Sequence, residues 1–355
     1  MALSPVEVSL EIAPSSRFDI IDVSKRVTQE FDGILQNYKK SLYCSFHTTA
    51  GYFEQSLAAR LQHNKENVDP FISAFRGLFP EDADYHHDQM QFRSELTEEQ
   101  KINEPKNADS HLIYISSGLK NCVTYTNQPD QPVYFIELDG VYKGQVRSRK
   151  TNVLAFNNEK TAAKMKIEVP VSNHPIDSIN LNKQHTEHFE QINDVLREKG
   201  IQKGRVNIAL SHNETHAGLT VNEYETLLMR HDLAEVLNNP LKFVAQQGKH
   251  MLLDIKAIPS KTRNYAKYDL VHVFNGLIDA FRVRSSVVEK ILSKFIAYPA
   301  ARFLRMKRGV SMLVSNQENG VGQIVHGTYQ SPILVQWDNA QNGVRMLDVE
   351  ITEFQ

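Results

Sequence analysis

The sequence predicts a fold of mixed strands and helices that occurs twice in the 355-residue chain. Three observations lead to this prediction. The length exceeds what one hydrophobic core usually serves, which favours two domains. Residues 6–51 and 165–218 share the order of an alternating strand, an amphipathic helix and a second alternating strand. The segments QPVYFIELDG (131–140) and QSPILVQWDN (330–339) form a second matching pair, and each is a predicted strand that ends in an acid.

The boundary between the two copies is predicted within residues 150–163, where KTNVLAFNNEKTAA carries loop and helix-start residues. We therefore expect a first domain at 1–155 and a second, more divergent domain at 156–355. The second copy lacks much of the polar stretch at 85–110. It also gains a helical insertion at about 277–309, whose apolar residues have helical spacing.

The predicted insertion is strongly basic. Residues 281–308 contain one acid, Glu289, and eight cationic residues: Arg282, Arg284, Lys290, Lys294, Arg302, Arg305, Lys307 and Arg308. Such a face could contact phosphates or an acidic membrane surface. The favoured interpretation is a solvated basic face over a packed apolar stripe, because lysines and arginines are common on surface helices.

Composition is that of an ordinary globular protein and names no partner. Hydrophobic residues make up 41% of the chain, charged residues 23%, and the net charge of −2 gives no whole-chain attraction to nucleic acid. Cys44 and Cys122 are too few for a disulfide scaffold or a four-thiolate zinc site. The segment MALSPVEVSLEIAPSS lacks the features of a signal peptide, and no apolar run is long enough to span a membrane. We therefore expect a cytoplasmic protein.

The candidate site residues begin at the end of a predicted strand in the first copy. In SLYCSFHTT (41–49), alternation places Tyr43, Ser45 and His47 on the face away from the expected core. His47 would then be free to contact a ligand. A histidine at a strand end is, however, more often a hydrogen-bonded structural residue.

Two further polar clusters follow in the first copy. DADYHHDQM contains Tyr85, His86 and His87, and NADSHL contains Asn107, Asp109 and His111. The separated histidines His47, His87 and His111 suit a divalent transition metal, with zinc expected, because neutral imidazoles bind zinc well. Asp109 or Asp88 could orient one of these histidines. The same residues would equally suit acid–base chemistry on a phosphate.

The order of these clusters resembles the YjbQ family, whose members are also named secondary thiamine-phosphate synthases. The family pattern reads roughly HTTAGLTINE, YxH, NAxAHL and LGTWQxIxLxExDG. The first copy has HTTAGYFEQS, YHH, NADSHLIYISSG and QPVYFIELDG, and the second has ETHAGLTVNE and HGTYQSPILVQWD. The resemblance covers most of both halves apart from the helical insertion.

The two copies divide the family's motifs between them. The first copy keeps the family's polar positions at His47, Tyr85, His87, Asn107 and His111, but has lost its NE and most of its GTWQ. The second keeps the remainder, namely Asn222, Glu223, Gly327, Thr328, Tyr329 and Gln330. In the second copy Glu214 replaces the first family histidine, and Asp269 stands where His111 would be. A site shared by the two copies is therefore expected, with drift of one copy as the alternative.

The resemblance implies an α+β fold of antiparallel sheet with flanking helices, assembled as a trimer or a multiple of one. The family's activity joins a pyrimidine pyrophosphate to a thiazole phosphate. Residues that the resemblance assigns to substrate binding are Thr48, Thr49, Tyr85, Asn107, Asn222, Thr328 and Gln330. Those that it assigns to catalysis are His47, His87, His111 and Glu223, the three histidines also as metal ligands and Glu223 as general base.

Two functions remain open. In the first, the protein is a metal-dependent transferase or hydrolase acting on a small anionic or phosphorylated metabolite. In the second, a degenerate family site binds a small ligand without turning it over, and the protein is regulatory. The enzyme is favoured, because three retained histidines have no evident packing role.

Overall fold

The computed structural model describes residues 3–81, 83–238, 306–317 and 320–355. The basic insertion predicted at about 277–309 lies almost entirely outside the described residues, as does Asp269. Contact density divides the chain into two compact units. Unit 1 comprises Met1–Ala59, Leu119–Tyr224 and Lys307–Gln355, and unit 2 comprises Arg60–Gly118 and Glu225–Met306. The boundary predicted near residue 155 falls inside unit 1 and is not tested by this division.

The described strands are β1 (Val6–Ile12), β2 (Asp19–Asp22), β3 (Lys40–Ser45), β4 (Ala50–Gly51), β5 (Cys122–Thr126), β6 (Tyr134–Glu137), β7 (Val141–Tyr142), β8 (Gln145–Val146), β9 (Arg149–Phe156), β10 (Glu159–Pro170), β11 (Asp177–Asn180), β12 (Gly204–Leu210), β13 (Ala217–Asn222), β14 (Gly309–Ser315), β15 (Gln323–Val325), β16 (Ser331–Gln336) and β17 (Val344–Phe354). The described α-helices are α1 (Val23–Glu30), α2 (Gln55–Arg60), α3 (Lys65–Leu78), α4 (Glu98–Asn103), α5 (Ala108–Ser117), α6 (Leu181–Gln184), α7 (Thr186–Glu198) and α8 (Leu233–Asn238). A π-helical turn, Leu228–Asp232, precedes α8.

Unit 1 contains antiparallel sheets with a repeated strand order. One sheet has the order β1-β9-β3-β5, and another has the order β10-β17-β12-β14-β15. Two three-stranded sheets also have corresponding strand orders, β2-β6-β4 in the first half and β11-β16-β13 in the second. All of these pairings are antiparallel. The prediction of an α+β fold with antiparallel sheets and helices is confirmed.

Each half of unit 1 packs a helix and its three-stranded sheet on the larger sheet. In the first half Val23 and Val27 of α1 enter the core with Tyr43 of β3. In the second half Ile192 and Leu196 of α7 do the same. Their spacing places them on one face of each helix, so burial of that face, at about 1.5–3 kcal/mol per large side chain, holds the helix on the sheet.

The other face of strand β3 is buried as well. Leu42 and Cys44 lie in a cluster with Phe156 and Phe354, whose rings stack with centroids 3.8 Å apart. Tyr43 and Ser45 are each 1% exposed. The expectation that the face with Tyr43 and Ser45 lies away from the core is therefore wrong. Simple alternation could not distinguish a strand with one buried face from a strand with two.

Unit 2 contains helical segments that carry the polar clusters of the sequence. Helix α5 packs against α3, and every residue of α5 is buried. Gly118 ends α5 in the left-handed region at φ 90°, a conformation that glycine adopts without steric cost. Among the described residues, none of the helices is both long enough and apolar enough to cross a membrane.

Candidate functional site

Two buried aspartates of unit 2 fix the backbone around the predicted histidines. Asp88 accepts hydrogen bonds from the N–H groups of Asn107 (3.0 Å) and Ala108 (3.1 Å), which are at the start of α5. Asp232 accepts from the N–H groups of His86 (2.8 Å) and His87 (2.9 Å). Burial is the main cause that raises the pKa of both carboxyl groups above the usual value. These contacts set the position of His87 and of the first turn of α5.

His87 is the centre of this group, and its side chain is fully buried. Its Nδ1 lies 3.0 Å from the carboxylate of Glu225, and its Nε2 lies 3.2 Å from Oδ1 of Asn107. Glu225 also accepts from the N–H groups of Leu227 and Leu228, where the π-helical turn begins. Burial raises the pKa of Glu225, but the hydrogen bonds from His87 and these two N–H groups outweigh it, so the net shift is downward. Glu225 is therefore ionised beside the imidazole at neutral pH.

His111 and Tyr85 complete the group in unit 2. The ring of His111 is buried and meets that of His87 edge-on, with centroids 5.4 Å apart and an interplanar angle of 74°. Among the described residues, the buried hydroxyl of Tyr85 has no hydrogen-bond partner. Burial raises the pKa of Tyr85 beyond its usual range, and the charges of Asp109, Asp232 and Asp88 add to that rise. Tyr85 therefore keeps its proton and remains a hydrogen-bond donor.

His47 lies in unit 1, in the turn after β3. Its Nε2 accepts a hydrogen bond of 2.8 Å from the backbone N–H of Lys150. Burial, then the positive charges of Arg149 and Arg147, lower the pKa of His47 to about 3. The imidazole is consequently neutral at physiological pH, and because Nε2 is the acceptor, the proton is on Nδ1.

Arg149 is the buried cation beside His47. Its Nε lies 2.5 Å from Oε2 of Glu137, and its guanidinium also donates to the backbone oxygen of Asp139 at 2.7 Å. A longer contact of 3.5 Å reaches Oγ1 of Thr49. Burial raises the pKa of Glu137, and Arg149 opposes that rise. This ion pair fixes the strand end and leaves the neutral His47 as the more accessible group of the turn.

Residues of the second half of unit 1 hold the backbone of the His47 turn. The amide of Gln330 donates to the carbonyls of Ser45 and His47, both at 3.0 Å. The amide of Asn222 donates to the carbonyl of Thr48 at 3.3 Å. Gly327 approaches the turn so closely that a Cβ atom there would lie 1.9 Å from the Phe46 oxygen. Both halves therefore build this turn.

The second half contains a matching turn with a carboxylate in place of the neutral imidazole. Glu214 takes the place of His47: its Oε1 accepts from the backbone N–H of Met346 at 2.8 Å, and its Oε2 pairs with Arg345 at 2.9 Å. Arg345 also donates to the backbone oxygen of Asp338 (2.6 Å) and to Gln336 (3.4 Å). The contacts with the Met346 N–H, the Asp338 oxygen and Gln336 have counterparts around Arg149, where Glu137 stands in place of the glutamine. The ion pair between Glu214 and Arg345 has no counterpart at His47 among the contacts of the described residues.

The structure brings the predicted site residues into two groups. Unit 2 contains Tyr85, His87, Asn107 and His111, and unit 1 contains His47, Thr48, Thr49, Asn222, Glu223, Thr328 and Gln330. Thr328 is exposed, whereas Asn222 and Gln330 are buried on main-chain carbonyls. The joint role of His47, His87 and His111, and the role of Glu223 as general base, stay predictions.

Four residues that the sequence reasoning did not select are central to these groups: Glu225, Asp232, Arg149 and Arg345. Glu225 stands two residues after Glu223 in the same NEYE segment, so the motif drew attention to the neighbouring acid. The arginines had a detectable signal. Each follows the strand that ends in an acid, as RKTNVL in the first half and RMLDVE in the second.

Comparisons with known proteins found no matching family model and no matching curated protein. Among solved structures, a YbjQ-like protein of unknown function from Sulfolobus solfataricus P2 is 18% identical, with a TM-score of 0.31 over 55% of this chain and 99% of that chain. An uncharacterised conserved protein of the yjbq/upf0047 family from Clostridium acetobutylicum is 14% identical, with a TM-score of 0.29 over 53% and 98%. A hypothetical protein from Aeropyrum pernix K1 is 16% identical, with a TM-score of 0.29 over 53% and 96%. Likenesses at this level carry no argument about the activity of this chain.

Proposed function

We propose that the protein is a metal-dependent enzyme that acts on a small anionic or phosphorylated metabolite, with the His87 group of unit 2 at its centre. The buried pair of His87 and Glu225 is the observation that carries this proposal. A carboxylate on Nδ1 fixes the imidazole proton there and leaves the Nε2 lone pair for a ligand. Metal-binding histidines usually have such a partner.

The polar atoms around His87 fit a zinc-like ion. With its proton on Nδ1, His87 directs the Nε2 lone pair at Oδ1 of Asn107, another lone-pair donor, across 3.2 Å. Two ligands of a tetrahedral zinc are roughly 3.3–3.5 Å apart, given bonds of about 2.0–2.2 Å. A cation between these atoms would remove their repulsion, as would a second proton on His87 or a rotated Asn107 amide. His111 would supply a second imidazole.

Each residue of the group has a definite part in this proposal. A metal, when bound, would polarise a phosphoryl or carbonyl oxygen or lower the pKa of a water. Glu225 holds the Nδ1 proton and orients His87. Asp88 fixes the start of α5, from which Asn107 and His111 project. Tyr85 keeps its proton and can donate a hydrogen bond to an anionic oxygen.

A non-catalytic ligand-binding or regulatory protein is the second candidate. It is favoured because polar groups of the candidate site already form hydrogen bonds within the chain. His47 already accepts a backbone N–H, and both ring nitrogens of His87 have partners. The amide of Gln330 is likewise engaged with two carbonyls. A ligand would then bind by exchanging these hydrogen bonds rather than by meeting open valences.

Metal content and turnover distinguish the two candidates. Untagged protein, purified without chelator, is compared with His87→Ala and Glu225→Gln. His86→Ala is the control, because His86 is the adjacent histidine in the sequence. The enzyme proposal predicts that one equivalent of zinc per chain is lost in His87→Ala, bound more weakly in Glu225→Gln and kept in His86→Ala. It also predicts turnover in a screen of phosphorylated metabolites that includes the joining of a pyrimidine pyrophosphate to a thiazole phosphate. Zinc that is unchanged in His87→Ala contradicts the proposed metal centre, and ligand binding without turnover supports the second candidate.

We further infer that the two halves of unit 1 are tandem copies of one YjbQ-like fold. The repeated strand orders support this inference, as do the matching contacts of Arg149 and Arg345. In a crystal structure, strands β1, β2, β3, β4, β5, β6 and β9 should superpose on β10, β11, β12, β13, β14, β16 and β17, in that order, with these two arginines at equivalent positions. Assembly as a trimer, which the resemblance implies, is part of the same proposal, and light scattering of the purified protein tests it.

A further inference from the structure

A compact group of metal-binding side chains lies in unit 1 where α6 meets α7. His185 separates the two helices, and Glu187 and His188 belong to the first turn of α7. One ligand atom from each residue lies within 4.8 Å of the others. In the part of the chain that the structure describes, no other set of three or more His, Cys, Asp or Glu residues meets this distance. None of the three belongs to the His87 group or the His47 turn.

The separations of the donor atoms approach those of a metal centre. Oε1 of Glu187 lies 3.3 Å from Nδ1 of His185 and 3.9 Å from Nε2 of His188. Tetrahedral zinc places its ligands roughly 3.3–3.5 Å apart. The two imidazole rings are stacked, with centroids 5.5 Å apart and an interplanar angle of 21°. Small side-chain rotations would therefore bring the three atoms to bonding distance from one ion.

A fourth possible donor atom, a backbone oxygen, lies beside this group. The backbone oxygen of Glu168 is 3.3 Å from Nε2 of His188. Glu168 belongs to β10, the edge strand of its sheet. When Nε2 carries the proton, His188 donates to this carbonyl. When the proton is on Nδ1, Nε2 becomes a ligand, and the carbonyl faces the ion or the solvent at the sheet edge.

Accessibility and charge also suit an ion from solution. The side chains of His185 and His188 are 15% and 17% exposed, and that of Glu187 is 63% exposed. The backbone N–H of Glu187 lowers the pKa of its own carboxyl, and the hydrogen bond with His185 lowers it further. Two imidazoles and one carboxylate are a donor set of catalytic zinc sites, where water takes the open position.

We propose that His185, Glu187 and His188 bind a divalent first-row transition metal, with zinc as the expected ion. The bound ion lies at the start of α7, where His188 approaches the edge strand β10. It keeps an open position for water or a small anion. This site is independent of the function proposed for the His87 group.

The test is a titration of the untagged, metal-free, full-length protein. Zn²⁺ binding is followed by calorimetry, and Co²⁺ binding by the visible absorption that appears when the ion enters a tetrahedral site. The variants are His185→Ala, His188→Ala and Glu187→Gln, with His212→Ala as the control, because His212 is an exposed histidine of unit 1 outside the group. Each titration is repeated in a His87→Ala background, which removes the other proposed metal centre.

We expect one zinc per chain in the His87→Ala background, with unchanged affinity in His212→Ala. His185→Ala and His188→Ala should each weaken binding at least about tenfold, and Glu187→Gln should abolish the cobalt absorption or shift it. Glu187→Gln will fold even if a histidine variant does not, because its side chain is largely exposed. Zinc affinity that is equal in the wild type, His185→Ala and Glu187→Gln would overturn the proposal, as would the absence of binding to the wild type.

Discussion

The turn after β3 and the turn after β12 each lie beside a buried arginine, but they contact its surroundings with different residues. Both surround a buried arginine at the start of a long strand, Arg149 in the first half and Arg345 in the second, each 4% exposed. Both arginines donate to the backbone oxygen of an aspartate. In both turns a side chain accepts a hydrogen bond from the backbone N–H of the residue after the arginine. This side chain is His47 in the first half and Glu214 in the second.

The difference lies in the position of the carboxylate. Arg149 takes its carboxylate from strand β6, at Glu137, and Arg345 takes its carboxylate from the turn, at Glu214. Gln336 occupies the position in the second half that corresponds to Glu137. A buried cation needs a paired anion, and within the described residues each arginine has one such partner. A neutral histidine is therefore compatible with the first turn, where Glu137 already supplies the charge, but not with the second.

The largest contrast in stability is expected when the acceptor side chain of each turn is replaced, in separate variants, by glutamine. Glu214→Gln keeps an acceptor for the Met346 N–H but removes the carboxylate of Arg345, so the free energy of unfolding should fall by about 3 kcal/mol. His47→Gln keeps the acceptor for Lys150 and leaves the Arg149–Glu137 pair intact, so it should change stability by less than about 1 kcal/mol. Urea denaturation of both variants measures the contrast.

A reciprocal variant sharpens this comparison. Glu137→Gln should destabilise the protein at least as much as Glu214→Gln, because Glu137 is fully buried and has two contacts with Arg149. Equal, small effects of Glu137→Gln and Glu214→Gln would show that the two arginines do not depend on a carboxylate. The correspondence between the turns would then have no energetic basis.

A second difference is that the other half holds the first turn, through hydrogen bonds that the second turn does not show among the described residues. Gln330 and Gly327 contact the first turn, whereas the corresponding Gln131 bonds locally to Gln128. Gly327→Ala would place a methyl group against the Phe46 oxygen, so it should destabilise the protein by about 2 kcal/mol. Thr328→Ala, at an exposed neighbouring position, is the control and should be close to neutral. Thermal unfolding that is unchanged in Gly327→Ala would contradict the close approach.

The sequence predicted the local elements well because their patterns depend on near neighbours. The alternation in IEVPV and the helical spacing of Phe189, Ile192 and Leu196 correspond to β10 and α7 in the structure. The patterns did not show that both faces of β3 are buried, since the face of Tyr43 packs in a core with residues such as Val153, far away in the chain.

The candidate site was predictable only in part. The polar clusters of the first copy and the family resemblance identified His87, Asn107 and His111, which the structure brings together in unit 2. They did not identify Glu225 and Asp232, because the partner of a buried histidine is set by the tertiary fold rather than by sequence spacing. The exchange of His47 for Glu214 was visible in the sequence, but its cause was not. The cause is visible only in the tertiary contacts, where Arg149 contacts Glu137 and Arg345 contacts Gln336.

The smallest expected effect concerns pH. A histidine with a pKa of about 3 in the folded protein and about 6.5 in the unfolded chain contributes stability that is fully present above pH 6.5. This contribution is lost as the pH falls, because protons then bind the unfolded chain preferentially. At pH 5 the wild type should therefore have lost up to about 2 kcal/mol more than His47→Gln, relative to pH 7.5. Denaturation curves at the two pH values give this difference, and parallel losses in both proteins would contradict it.

The protonation state of His47 is the most direct measurement of what separates the two turns. In a ¹⁵N-labelled sample, long-range proton–nitrogen NMR spectra report the tautomer and the pKa of each imidazole, and His47→Gln assigns the resonance. We predict a neutral ring with its proton on Nδ1 at every pH between 5 and 8, because Nε2 accepts the Lys150 N–H and Arg149 and Arg147 disfavour a second charge. A His47 that titrates near pH 6.5, or that carries its proton on Nε2, would contradict the account of the first turn.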